Sequence, residues 1–154
     1  RALERYRYNR TAAGASMGVM LDTSVLVAAE RGTVQLVPLL EAQGESPVAI
    51  AAITAAELLH GCHRATDAGV RVRRFAFVEA VLDLVPILPF GLIEARRHAE
   101  LWAQLARGGT MIGAHDLLIA ATALAQGHEL ATLNRAEFAR VAGLRLLPLD
   151  RFVA

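Results

Sequence analysis

The chain contains no lysine: all 16 of its basic residues are arginine. No side chain is therefore available as a lysine base, a Schiff-base former or a lysine phosphate anchor. Cysteine is nearly absent too. The single Cys62 excludes an intramolecular disulfide and a cysteine-built zinc site, fits a reducing cytoplasm, and reads as a small core residue. No apolar run reaches the ~18–20 uncharged residues that a membrane helix needs, so no membrane partner is expected. Internal repeats, linkers and low-complexity tracts are absent as well.

What is present is a long apolar complement. At 154 residues and 55% hydrophobic, the chain is sized for one domain with its own core. The net charge of +1 is unevenly spread. Residues 1–16 hold four arginines against Glu4, a net of +3, so of the +1 total the remainder carries −2. This stretch is polar, lacks the apolar core of a secretory signal, and reads as a leader or tag-like extension outside the fold. The domain is expected over 17–154. Without a bulk positive field, any nucleic-acid binding must rest on local arginines and a metal.

Short apolar segments alternate with helical patterns. Strands are expected at Met17–Leu21, Pro47–Ile50, Leu84–Leu88, Glu129–Leu133 and Leu144–Leu147, the third an edge strand because it contains Pro86. Helices are expected from Ser24 to about Arg31, Val34–Gln43, Thr54 to about Ala65, onward from Asp67, Phe90–Arg107, His115–Gln126 and Arg135–Val141. Thr33 and Asn134 read as caps. Trp102 and the phenylalanines read as core. This alternation predicts an α/β domain whose parallel sheet is covered on both faces. In such sheets ligands bind at the carboxyl ends of the strands.

Three acids stand where apolar elements begin or end. Asp22 closes the run Val19-Met20-Leu21, Glu57 lies in Thr54-Ala55-Ala56-Glu57, and Asp116 opens Asp116-Leu117-Leu118-Ile119. An acid in such a place must be solvated, paired or metal-bound. Each alone is as well explained by helix capping: Asp22 as a cap, Glu57 as the far member of a capping box, Asp116 as an anion on a helix N-terminus. Converging, they would bind a divalent cation, and a cation that polarises phosphate means nuclease or phosphatase chemistry. Three like charges in one place should raise at least one carboxyl pKa. The histidines lack zinc spacing; His115, beside Asp116, is the one near the acids. Arg71, Arg73, Arg74, Arg96 and Arg97 read either as solvated helix faces or as contacts to RNA phosphate.

The motifs Met20-Leu21-Asp22-Thr23-Ser24, Ala56-Glu57-Leu58 with Gly61, and Ile112-Gly113-Ala114-His115-Asp116 running on through Leu117–Ala123 occur in a particular order. With the closing Thr132-Leu133-Asn134-Arg135-Ala136-Glu137-Phe138, they resemble the PIN-domain ribonucleases, and within them the VapC-type toxins of bacterial toxin–antitoxin modules. The resemblance covers about residues 17–149. It implies a three-layer α/β/α domain with a small central parallel sheet. It implies Mg²⁺, or Mn²⁺, held by Asp22, Asp116 and Glu57 as the catalytic acids, with Thr23, Ser24, Asn134 and Glu137 in support. Implied too are cleavage of cellular RNA (tRNA or rRNA), a block of translation, homodimerisation and neutralisation by a VapB-type antitoxin. One position departs: many family members place an acid where this chain has Asn134, and Glu137, one turn later, is the nearest compensating charge. A degenerate domain that binds RNA or antitoxin without cutting is the rival reading. Two phosphotransfer folds share the strand-end aspartate and fit less well. A dehalogenase-like phosphatase wants a second Asp where Ser24 stands, and a receiver domain wants a lysine.

Overall fold

Alternation along the strands decides the layers. In β1 (Val19–Leu21), Val19 and Leu21 point to one side of the sheet and Met20 to the other. In β2 (Val48–Ala51), Ile50 points to the first side and Ala51 to the second. Both strands are completely buried, as expected where helices cover both faces. The computed structural model describes residues 17–154, so the 1–16 extension lies outside the described residues.

β1 pairs in parallel with β2, Val19 opposite Val48, and with β4 (Glu129–Ala131), Met20 opposite Leu130. β3 (Ile87–Leu88) adds to β2, giving the order β3-β2-β1-β4 with β3 at the edge. The expected final strand, Leu144–Leu147, is a single parallel bridge between Leu130 and Leu146. One face carries α1 (Thr23–Glu30), α2 (Leu36–Ala42), α3 (Ala52–Arg64) and α4 (Ala68–Leu84). Leu26, Leu39, Leu58, Val78 and Phe152 pack there. The other face carries α5 (Leu92–Gly108), α6 (Ala114–Gln126) and the short α7 (Arg135–Phe138), with Leu101, Leu105, Ile119, Ala120 and Phe138 in its core. This is the three-layer α/β/α arrangement.

Several expected boundaries shift, each for a local reason. Ala51 ends β2 and leads directly into α3, so that helix starts at Ala52 and not at Thr54. Thr54 therefore sits inside the first turn, fully buried, and no capping box forms with Glu57. Ser24 lies within α1, which begins at Thr23. Val34 is held in an antiparallel bridge with Val153, which delays α2 to Leu36. α4 is capped as expected by Asp67, whose Oδ1 accepts the Val70 N–H at 2.8 Å, but it continues to Leu84 and shortens the edge strand to two residues. Ile93 and Trp102 are 67% and 56% exposed. The inward stripe of α5 runs through Leu101 and Leu105, and a residue one step along a helix is turned ~100° away from it.

Candidate functional site

At the carboxyl end of β1 the chain turns into α1 through Asp22. The backbone N–H of Asp22 bonds to the Ala131 carbonyl at the end of β4, so the two central strands release their chains side by side. Asp22 occupies the cap position of α1 but makes no side-chain cap bond. Its carboxylate is only 3% exposed. Oδ2 accepts hydrogen bonds from Ser24 Oγ at 2.6 Å and from Thr132 Oγ1 at 2.7 Å. Those hydroxyls in turn accept the backbone N–H groups of Leu133 and Asn134. Oδ1 of Asp22 has no hydrogen-bond partner among the described residues.

Glu57 enters from α3. Because the helix starts upstream of Thr54, its carboxylate is not spent on the backbone. Oε1 accepts from Thr23 Oγ1 at 2.8 Å, and the buried Thr54 hydroxyl lies 3.2 Å behind Thr23. Oε2 faces His115 Nδ1 at 3.5 Å. His115 is the histidine that its sequence neighbour singled out, and it stands exposed on the rim.

Asp116 is the third residue of α6, in the first turn behind Gly113. Its carboxyl is pushed up from the ordinary 3.8 to about 7. Burial contributes most, then the charges of Asp22 and Glu137, a hydrogen bond shared with Glu137, and the charge of Glu57. The site therefore carries more negative charge than it can keep ionised at neutral pH. Asn134 donates from Nδ2 to Asp116 Oδ2 at 3.3 Å and to Glu137 Oε2 at 2.7 Å. Glu137 stands beside Asp116 and helps to raise that carboxyl, and its own oxygens are bonded to the loop before α6 and to Asn134. Its Oε1 accepts the Gly113 N–H at 2.7 Å, and that bond with the Asn134 amide holds its carboxyl below the usual range. It fixes the loop entering α6.

Asp22, Glu57 and Asp116 line one open cleft of about 590 Å³, with Thr23, Ser24 and Asn134. The expected convergence is thus present at the scale of a cleft. Among the described residues no three His, Cys, Asp or Glu side chains crowd into a ready-made metal shell. A Mg²⁺ site does not need one: Mg²⁺ keeps several waters and takes one or two carboxylates. An all-oxygen donor set, a buried Asp22 oxygen without a partner and an Asp116 whose anion is disfavoured by burial and by neighbouring acids fit such an ion.

The proposed RNA arginines lie elsewhere. Arg71 donates twice to the Ala65 carbonyl, Arg74 is tied to Glu30 and the Gly61 carbonyl, and Arg97 pairs with Glu100. Neither they nor Arg73 and Arg96 line the cleft. Arg31 does, and the sequence reading passed over it, as it did Thr132. The one available signal was placement: Arg31 follows the helix that starts at Asp22, and Thr132 follows the apolar run of β4.

The PIN domain family model matches residues 19–144. The chain belongs to the PIN-domain family. Within that family it is of VapC type. It is 39% identical over 134 residues to Ribonuclease VapC1 of Rickettsia felis, covering 87% of this chain and 98% of the relative. It is 28% identical over 126 residues to the tRNA(fMet)-specific endonuclease VapC of Shigella flexneri, covering 82% and 93%. The crystal structure of VapBC2 from Rickettsia felis bound to a DNA fragment from their promoter contains a chain that superposes with a TM-score of 0.78 at 29% identity. That match covers 85% of this chain and 98% of the solved chain.

Proposed function

We propose that this PIN domain is a divalent-metal-dependent endoribonuclease and the toxin of a toxin–antitoxin pair. The observation that carries the reading is the convergence of Asp22, Glu57 and Asp116 on one cleft, where burial and the other acids push the Asp116 carboxyl up. Such a cluster is poorly matched to water and well matched to a cation. Asp22 and Asp116 would hold Mg²⁺, with Mn²⁺ as a substitute. Held there, a divalent ion would supply polarisation of a phosphodiester and a lowered pKa for water. Glu57, aimed by Thr23, either ligates or accepts a proton from the attacking water. Asn134 and Glu137 keep Asp116 in place through the amide hydrogen bonds. In-line attack leaves a 5′-phosphate and a 3′-hydroxyl.

The VapC names of the relatives support RNA as substrate, tRNA or rRNA in particular, and a block of translation as the outcome. The solved VapBC assemblies support a VapB-type antitoxin as partner. Homodimerisation belongs to the same reading, and exposed apolar side chains at Phe90, Leu92, Ile93 and Trp102 offer a surface for it. Among the described residues no helix is long and apolar enough to cross a membrane; we place the activity in the cytoplasm.

RNA incubated with the protein should be cut in Mg²⁺ and left intact after EDTA. Binding without cleavage in either condition would favour the non-cutting rival, which Asn134 in place of an acid keeps in play. Mapping new 5′ ends after induced expression would name the RNA.

A further inference from the structure

Beside the acidic cleft lies a second groove of about 300 Å³ that shares Thr23, Val27, Arg31 and Glu57 with it. Two helical stripes make its walls. α1 and its cap residue contribute Thr23, Val27, Glu30 and Arg31, at steps of four, three and one. α3 contributes Glu57, Gly61 and Arg64, at steps of four and three, which is one face of a helix. Gly61 leaves the middle of that wall open, since a Cβ there would meet nothing within 4 Å.

The charges in this groove are not equivalent. Arg74 is paired with Glu30 at 3.1 Å and also bonds the Gly61 carbonyl. Arg31 and Arg64 make no ion pair and no side-chain hydrogen bond among the described residues, and both are exposed. Each ends its helix, where a cation gains ~0.3–1 kcal/mol from the helix dipole. That explains an arginine at either place. It does not explain why both line one groove that opens onto the acids. Glu57, which accepts from Thr23 and faces His115, is the groove's other acid, at the end it shares with the cleft.

Building on the ribonuclease reading, we propose that this groove is a backbone subsite for single-stranded RNA. Arg31 holds a phosphate next to the scissile one, and Arg64 holds a phosphate farther along the strand. Arg64 lies two turns beyond Glu57 on α3, ~10.5 Å along the axis. That is about three nucleotides at the ~3.4 Å rise of a stacked strand. The groove has the size of a small ligand pocket, and its apolar lining, Val27, Leu58 and Val78, suits sugar and base surfaces. Guanidinium groups suit phosphate geometry, and in a chain without lysine they are the basic groups available.

The test is the salt dependence of RNA binding, read by anisotropy of a labelled mixed-sequence RNA oligonucleotide in EDTA, so that nothing is cut. Each phosphate contact contributes about 0.7 to the slope of log affinity against log salt for a single strand. Arg31→Ala and Arg64→Ala should each lower the slope by about that amount and weaken binding about three- to tenfold. Gly61→Met, which keeps both charges and obstructs the groove, should weaken binding while leaving the slope nearer wild type. Arg107→Ala, an exposed arginine on α5 away from both cavities, is the comparison and should change neither. The KM for RNA cleavage in Mg²⁺ should rise in the two arginine variants more than kcat falls. Wild-type cleavage with unaltered slope and KM in both arginine variants would overturn the subsite and leave the ribonuclease reading standing. That holds also if their affinity for an antitoxin peptide drops, because the groove would then be a protein-docking surface. A wild-type protein that neither binds nor cuts RNA would overturn both.

Discussion

Asp22 and Asp116 face the same cleft with the same charge, and the fold treats them in opposite ways. Asp22 is buried and supplied with two short hydroxyl bonds, each hydroxyl being anchored to the backbone of the segment leaving β4. Asp116 receives one long amide bond at 3.3 Å, and burial first, then three neighbouring acids, raise its pKa to about 7. One acid is a fixed point of the scaffold. The other is left under-compensated until positive charge arrives. A metal site built this way has a rigid ligand that sets position and a second ligand whose cost of ionisation the ion itself relieves.

The contrast is most open to attack by truncation. Asp22→Ala and Asp116→Ala should each lower kcat for RNA cleavage by at least ~10³-fold, because each removes an anionic ligand. Their stabilities should then diverge. Asp22→Ala strands the Ser24 and Thr132 hydroxyls and should cost about 1–3 kcal/mol in denaturant unfolding. Asp116→Ala should cost little in metal-free buffer. Equal destabilisation of both would erase the distinction. A fully active Asp116→Ala protein would remove the metal scheme altogether.

A smaller effect sharpens the Asp22 side. Thr132 is buried, donates to Asp22 and accepts the Asn134 N–H. Thr132→Val keeps the shape and removes the hydroxyl, so chemical denaturation should show a loss of ~1–2 kcal/mol. Val is not a neutral replacement for a bonded Thr.

On the Asp116 side the handle is pH. The folded protein holds this proton to about pH 7 and the unfolded chain releases it near 3.8, so the folded state binds more protons in that window. Stability of the metal-free protein should therefore fall as pH rises from about 4 to about 7. Glu137, with its pKa lowered from 4.5, acts in the opposite sense and below pH 4.5. Thermal melts in EDTA across pH 4–8 check this, and Asp116→Asn should flatten the upper part of the profile. The smallest effect expected is at Thr54. Thr54→Val removes the hydroxyl behind Thr23 and should slow cleavage a few-fold through misaim of Glu57, with KM little changed.

The layers and the parallel sheet were legible because short apolar runs alternate with amphipathic ones, and burial on both faces leaves that pattern in the sequence; the strand order was not. The three acids were legible as element-end carboxylates. Their company was not. Thr54 looked like a helix cap because Thr-x-x-Glu is a capping signature, yet Ala52 and Ile53 could enter the helix first, which freed Glu57 from the backbone. Glu137 was legible as a charge near the site, but its bond to a backbone N–H twenty-four residues away was not. Trp102 looked like core because aromatics usually are, whereas Leu101 beside it took the inward position. For Glu137 a partner distant in sequence settled the matter; for Thr54 and Trp102 a neighbouring residue took the place that the local pattern offered them. The arginines show the same limit. Those clustered in the sequence are bonded internally or lie off the cleft, while the isolated Arg31 lines it.

Asp116 keeps its proton because burial and the surrounding acids disfavour its anion, and a bound cation should reverse that balance. Calorimetric titration of Mg²⁺ near pH 7, in buffers of different ionisation enthalpy, counts the protons released on binding. With Asp116 half-protonated there, release of roughly half a proton per ion is predicted, falling to near zero in Asp116→Asn. Binding of Mg²⁺ without proton release in the wild-type protein would contradict the account.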